Sequence, residues 1–184
     1  NQSRRQRQMC IRDSFWFAST DAHRAWSITK EAPKYDPKDV IIPPYLVDTP
    51  VTREDLTGYY HEVSRFDYYI GLVTAELKKQ GVLENTMIIV AADNGRPFPR
   101  CKSRMYDSGI KTPWVVHFPE VIKSPSTTQS LISVIDLSAT CLELAGVKSP
   151  ECVQGRSFLP ILKKPETCIR AVSYTHLTLP TTLV

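Results

Sequence analysis

Thr86-Met87-Ile88-Ile89-Val90-Ala91-Ala92-Asp93-Asn94-Gly95 is the stretch on which the fold turns. Its first seven residues are almost continuously apolar and rich in β-branched side chains, the pattern of a central parallel strand covered on both faces. The run ends in a carboxylate and an amide, so two oxygen donors leave the carboxyl edge of the strand, where ligands bind in open α/β sheets. Asp-Asn and Asn-Gly are also common in tight turns for purely backbone reasons. Arg96, Arg100, Lys102 and Arg104 fall within eleven residues of Asp93, interleaved with Pro97 and Pro99 on a loop that cannot be helical. A carboxylate and an amide beside several cations suit a divalent cation and an anion held together.

The flanking segments alternate strands and helices. Upstream, Thr52 as N-cap, Asp55 three residues on and Gly81 at the C′ position delimit a predicted helix. Between them Leu56, Tyr59, Tyr60, Val63, Phe66, Ile70, Val73 and Leu77 recur every three or four residues as one apolar stripe. Before it, residues 30–51 carry Pro33, Pro37, Pro43, Pro44 and Pro50 and predict an extended surface loop. A loop of that length in a compact domain is usually functional or a crossing segment. Phe15-Trp16-Phe17-Ala18-Ser19, breaking into Thr20-Asp21-Ala22-His23-Arg24, reads as a buried strand emptying into a loop. Downstream, Pro113 to Phe118 reads as another strand, and Ser130 to Ala145, closed by Gly146, as a helix. This order predicts an α/β sandwich with a mainly parallel central sheet.

With 184 residues, 42% hydrophobic and 23% charged, the chain is neither disordered nor collagen-like and has no run long enough to span a membrane. The net charge of +4 raises the question of a nucleic-acid partner. Three of those charges come from residues 1–14, which hold four Arg and one Asp. A phosphate-binding arm and a solvated tail are two readings of that segment. The third is that Arg4 to Asp13 resembles one reading frame of a sequencing adaptor, and Val172 to Thr182 its reverse complement. Residues 1–14 and 171–184 are then artefacts outside the fold. The natural segment is residues 15–170, expected to be an internal piece of a longer gene, with a charge near neutrality and no call for nucleic acid or membrane. Cys101, Cys141, Cys152 and Cys168 form no C-x-x-C pair and no zinc-like spacing with His, and read as inert thiols.

The stretch Ala92 to Lys102, followed by Met105 to Pro113, resembles the sulfatase family of the alkaline-phosphatase superfamily, and within it the branch of N-sulfoglucosamine sulfohydrolases. Thr20-Asp21-Ala22-His23-Arg24 is similar to the family's Asp-Pro-His-Arg loop, with Ala22 where Pro is usual. Ile42 to Pro50, Gly58 to Asp67, and Val134 to Pro160 also resemble family segments in the expected order. The resemblance implies that residues 15–170 are the C-terminal part of a sulfatase catalytic domain, an alkaline-phosphatase-like α/β sandwich. It implies that Asp93 and Asn94 are two ligands of a calcium ion, that Lys102 contacts the sulfate, and that His23 contacts it from another loop and protonates the leaving group. Arg24 and Arg100 are the weaker candidates for gripping sulfate or sugar acid groups.

The family nucleophile, a Cys or Ser in C/S-x-P/A-S-R oxidised to formylglycine, is expected in the missing N-terminal part. Cys101-Lys102-Ser103-Arg104 has the wrong spacing, and Cys152-Val153-Gln154-Gly155-Arg156 lacks the required Pro and Ser. The chain alone is therefore expected to be inactive. Two alternatives stand beside a calcium-dependent sulfatase acting on a sulfated carbohydrate. One is a two-zinc phosphatase or phosphodiesterase of the same superfamily, in which Asp-His replaces Asp93-Asn94. The other is a non-catalytic carbohydrate-binding relative. The resemblance also implies a secreted, periplasmic or lysosome-like parent.

Overall fold

A computed structural model describes residues 14–172. The adaptor-like ends, 1–14 and 171–184, lie outside the described residues apart from Ser14, Ala171 and Val172. The chain divides into two compact units, residues 19–125 and residues 126–172 with 14–18.

The first unit is organised on a 30-residue helix, α1 (Pro50–Lys79). Its N-cap, Thr49, lies three residues before the predicted one: Thr49 Oγ1 accepts from the Thr52 amide at 3.1 Å and Pro50 takes the first helical position. Proline suits that place, where its missing N–H would have no partner and its fixed φ is already helical. At the other end Gly81 adopts φ +70°, with the Val82 amide on Leu77 O and the Gly81 amide on Lys78 O. That pair of bonds is a Schellman cap, as the Gly81 position predicts.

The predicted apolar stripe holds only in part. Leu56 is fully buried and packs with Val40, Phe98 and Cys101, ringed by Trp26, Tyr45, Tyr59 and Tyr60. Val63 is exposed, whereas His61 and Glu62 are buried. The face they share meets loop backbone, which needs hydrogen-bond partners and not hydrocarbon. Residues 30–49 form the expected extended connection, interrupted by a 3₁₀ turn at Pro37–Asp39.

Strand β1 (Ile88–Ala91) forms where the sequence places it. Its partner β2 (Trp114–His117) pairs with it antiparallel, Ile88 opposite His117 and Ala91 opposite Trp114. Among the described residues this two-stranded sheet replaces the mainly parallel sheet expected. The reason lies in the connection. Between Ala91 and Trp114 the chain turns back through an irregular loop and one helical turn, α2 (Asp107–Ile110), without the crossover a parallel pair requires. Neither face of β1 is fully covered within this unit.

The second unit packs α3 (Asp136–Leu144) against α4 (Leu159–Lys163), with Ala139, Phe158, Leu159 and Ile161 buried. The helix expected from Ser130 starts only at Asp136. That fully buried carboxylate accepts the Ser133 and Arg156 amides at 2.8 Å each and the Arg170 guanidinium, holding the preceding residues in a turn. Phe15, Trp16 and Phe17 are 77%, 79% and 70% exposed and form no strand, contrary to expectation. An aromatic run becomes a strand only against a ladder partner, and none pairs with it among the described residues. No helix among the described residues is long and apolar enough to cross a membrane.

Candidate active site

The first unit brings together three segments: the loop 20–29, the first four turns of α1, and the loop 93–112 that leaves β1. Asp93 is exposed at the carboxyl end of β1, and no hydrogen bond or ion pair among the described residues holds its carboxylate. Asn94 donates its side-chain N–H to Gly95 O at 2.7 Å. The group it leaves for a ligand is therefore the amide oxygen.

The loop beyond is tightly knotted. The Gly95 amide donates to Gly109 O at 2.9 Å. A Cβ at Gly95 would run into Ser108 O, and one at Gly109 into the carbonyl oxygens of Arg104 and Cys101. Only glycine lets the two backbone segments touch so closely. Within the knot Arg96 O receives the amides of Phe98 and Lys102 at 2.8 and 3.1 Å, while Arg100 and Ser103 take φ of +64° and +66°. Left-handed backbone costs a non-glycine residue on the order of 1–2 kcal/mol, so the surrounding bonds over-determine this turn. Cys101 anchors it from below. Burial pushes its thiol up, but hydrogen bonds with Tyr45, Ser108 and Arg96 outweigh this and hold it below the ordinary value.

This knot presents three cations outward, Arg100, Lys102 and Arg104. Lys102 is exposed, with its ammonium in no ion pair among the described residues. Arg100 is exposed with its guanidinium 4.5 Å from the Tyr106 ring centroid, a cation–π contact that leaves the N–H edge open.

His23 comes from the other loop. Its Nδ1 donates to Arg24 O at 2.7 Å, so Nε2 is the nitrogen left to exchange protons. Arg24 fastens this loop to both other segments. Its guanidinium meets both carboxylate oxygens of Asp55 on α1 and donates from Nε to Pro97 O at 3.2 Å. It also lies 5.0 and 5.1 Å from the ring centroids of Phe98 and Trp26, which stack on each other at 6.2 Å. The structure thus places Asp93, Asn94, Arg100 and Lys102 on one loop and sets the His23 loop against that loop. Arg24 has its donors on protein partners.

Residues that the sequence reading passed over hold the His23 loop. Asp55 accepts from Trp26 Nε1 at 2.7 Å, Glu62 accepts the amides of Ala22 and Ser27 at 2.9 and 2.7 Å, and His61 Nε2 accepts the Thr29 amide at 2.9 Å. Arg65 donates to Asp21 and to Ser27 O. Hydrogen bonding to Asp21 raises the Arg65 pKa above its ordinary value. The available signal was spacing: Asp55 and Glu62 are seven residues apart, two turns on one face.

As a test of metal fit, Asp93 and Asn94 offer two hard oxygen donors with no competing partner, which suits a cation such as calcium. Among the described residues no group of three or more His, Cys, Asp and Glu side chains stands ready to hold a metal.

Known proteins resemble this chain in sequence and in fold. The sulfatase family profile matches residues 11–147. An ulvan-active sulfatase of Formosa agariphila is 37% identical over 148 residues, covering 79% of this chain and 24% of that protein. Human N-sulphoglucosamine sulphohydrolase is 36% identical over 139 residues, covering 70% and 28%. A protein solved in complex with its substrate D-glucosamine-2-N,6-O-disulfate superposes with a TM-score of 0.56 at 26% identity, over 67% of this chain and 27% of that one. A phosphonate monoester hydrolase from Silicibacter pomeroyi also gives 0.56, at 28% identity over 72% and 27%. The chain spans about a quarter of the length of these relatives. With a profile match over more than half its length, on the loops that carry the oxygen donors and the exposed cations, the chain belongs to the sulfatase family.

Proposed function

We propose that residues 15–170 form the C-terminal part of the catalytic domain of a calcium-dependent sulfatase that removes sulfate from a sugar such as N-sulfoglucosamine. The observation that carries this reading is the junction of Arg24 with Pro97 and Phe98, which joins the His23 loop to the loop bearing Asp93, Asn94 and Lys102. Asp93 and the Asn94 amide oxygen would be two of the calcium ligands. Calcium bound there would supply a fixed double positive charge beside the sulfate.

The chain's own residues do the rest. The Lys102 ammonium offsets negative charge on the bridging atom as the S–O or S–N bond breaks, the kind of fixed stabilisation on which such chemistry depends. His23 Nε2 delivers a proton to the leaving oxygen or nitrogen, its ring held by the Nδ1 bond to Arg24 O. Arg100 is free to meet a second acidic group on the sugar. Arg24 is better placed to lock the loops than to bind substrate.

Nothing in the 184 residues matches C/S-x-P/A-S-R, so this chain alone is expected to release no sulfate. The test uses the longest open reading frame that carries residues 15–170. After chelation, calcium should restore sulfate release from N-sulfoglucosamine and zinc should not. Restoration by zinc, together with hydrolysis of a phosphate or phosphonate ester, would transfer the chain to the two-zinc reading.

A further inference from the structure

The loop that carries His23 is anchored by Trp26 in the core cluster and by polar side chains of α1. Among the latter, Glu62 is the one that takes two of the loop's backbone amides. That side chain is 2% exposed, and its two carboxylate oxygens take separate backbone amides, Ala22 at 2.9 Å through Oε2 and Ser27 at 2.7 Å through Oε1. These amides flank His23 on either side. Arg65, one turn on, also reaches Glu62 Oε1 at 3.4 Å and pairs with Asp21, so the buried carboxylate is charge-compensated as well as hydrogen-bonded. Ala22 sits at φ +65°, a conformation its side chain disfavours, and the amide held by Glu62 belongs to that same residue.

We propose that Glu62 is a positioning residue for His23: by gripping the Ala22 and Ser27 amides it fixes the turn in which His23 Nδ1 donates to Arg24 O and Nε2 is the nitrogen left to exchange protons. The role rests on the reading of His23 as proton donor to the leaving group. It concerns a different link in the chain of causes, the geometry of the loop and not the chemistry. Neither Asp55 nor His61 can substitute, because they hold the Arg24 and Trp26 side chains and the Thr29 amide.

The experiment is amide hydrogen exchange and ¹⁵N imidazole NMR on the 184-residue chain with Glu62→Gln and Glu62→Asp. In Glu62→Gln one oxygen becomes an N–H₂ donor, so one of the two amides loses its acceptor. Exchange at Ala22 or Ser27 is expected to accelerate at least about tenfold, the equivalent of a buried amide left unpaired. Leu56 in α1 should keep its wild-type rate, and the His23 ring should lose its preference for the Nδ1–H form. Glu62→Asp, which retains two acceptors on a shorter stem, should recover part of both signals. Wild-type exchange at Ala22 and Ser27 in Glu62→Gln, or acceleration spread equally through α1, would overturn the proposal. An unchanged His23 tautomer would do so too. Should Glu62→Gln not fold, Glu62→Asp alone decides by the same two signals. His23→Ala in the longer gene product tests the chemistry separately: loss of sulfate release there with unaltered loop exchange keeps the two readings apart.

Discussion

Gly109→Ala adds one methyl group at the point where the site loop closes on itself. The new Cβ would fall inside the van der Waals envelope of two backbone carbonyl oxygens, Arg104 O and Cys101 O. Neither can swing aside like the end of a side chain, since the Arg104 amide is bonded to Cys101 O at 3.1 Å within the same turn. Overpacking of this kind costs about 1–3 kcal/mol. Relief by moving Gly109 would stretch its carbonyl from the Gly95 amide, at about 0.5–1.5 kcal/mol. Opposing both is the conformational gain of replacing Gly by Ala, up to about 1 kcal/mol. The steric and hydrogen-bond losses win, and a net destabilisation of about 1–4 kcal/mol is expected. Gly71→Ala is the matched control. It lies in the middle of α1 with open space around its added Cβ, so only the favourable effect remains, about 0.5–1 kcal/mol of stabilisation. Urea unfolding followed by tryptophan fluorescence reads both: a loss of 2 kcal/mol moves the midpoint down by about 1 M, with little change in slope. A Gly109→Ala protein as stable as wild type would refute the close approach on which the geometry of Lys102 and Arg100 depends.

Further outcomes follow from the same contacts. Ala22→Pro removes the N–H that Glu62 accepts and imposes a negative φ on a residue at +65°; it should lower the unfolding midpoint, whereas Ala22→Gly should not. Asp48 is held below its ordinary pKa, first by hydrogen bonds from Arg53. Because the folded value is depressed, its contribution is complete above the unfolded pKa near 4 and is lost as pH falls through the lower, folded value. Asp48→Asn should therefore lower stability slightly at neutral pH, the pair being exposed, and converge with wild type as pH falls through the folded value, so that the acid limb is flatter.

Some of this structure is legible in the sequence, and the rest is not for identifiable reasons. The extent of α1 follows from its three-to-four spacing and from Gly81, but its start was hidden because Pro50 reads equally as the end of a loop and as a first helical residue. β1 is legible from Ile88 to Ala91, whereas the direction of its partner depends on how residues 93–112 fold back. That path is set by the approach of Gly95 to Gly109 and of Gly109 to Cys101 and Arg104, contacts that leave no periodic trace. Asp93, Asn94 and Lys102 stand out because unusual residue types follow an apolar strand. Glu62, His61 and Asp55 do not, since polar residues on a helix look like its solvent face until a loop with unsatisfied amides is laid across them. Arg24, which beside His23 reads as a substrate ligand, also bonds Asp55 and Pro97 O, partners its sequence position does not announce.

Asp93, Asn94, Lys102 and His23 are proposed to form one sulfate-cleaving site. Its most direct measurement is sulfate release from N-sulfoglucosamine by the longest gene product carrying residues 15–170, compared with its Asp93→Ala and Lys102→Ala variants. Removal of positive charge aimed at a developing anion costs about 10²–10³ in kcat; Lys102→Ala removes it directly and Asp93→Ala by removing a calcium ligand, so each variant should lose at least about a hundredfold while retaining the wild-type unfolding midpoint. Sulfate release within a few-fold of wild type in both variants would contradict the account.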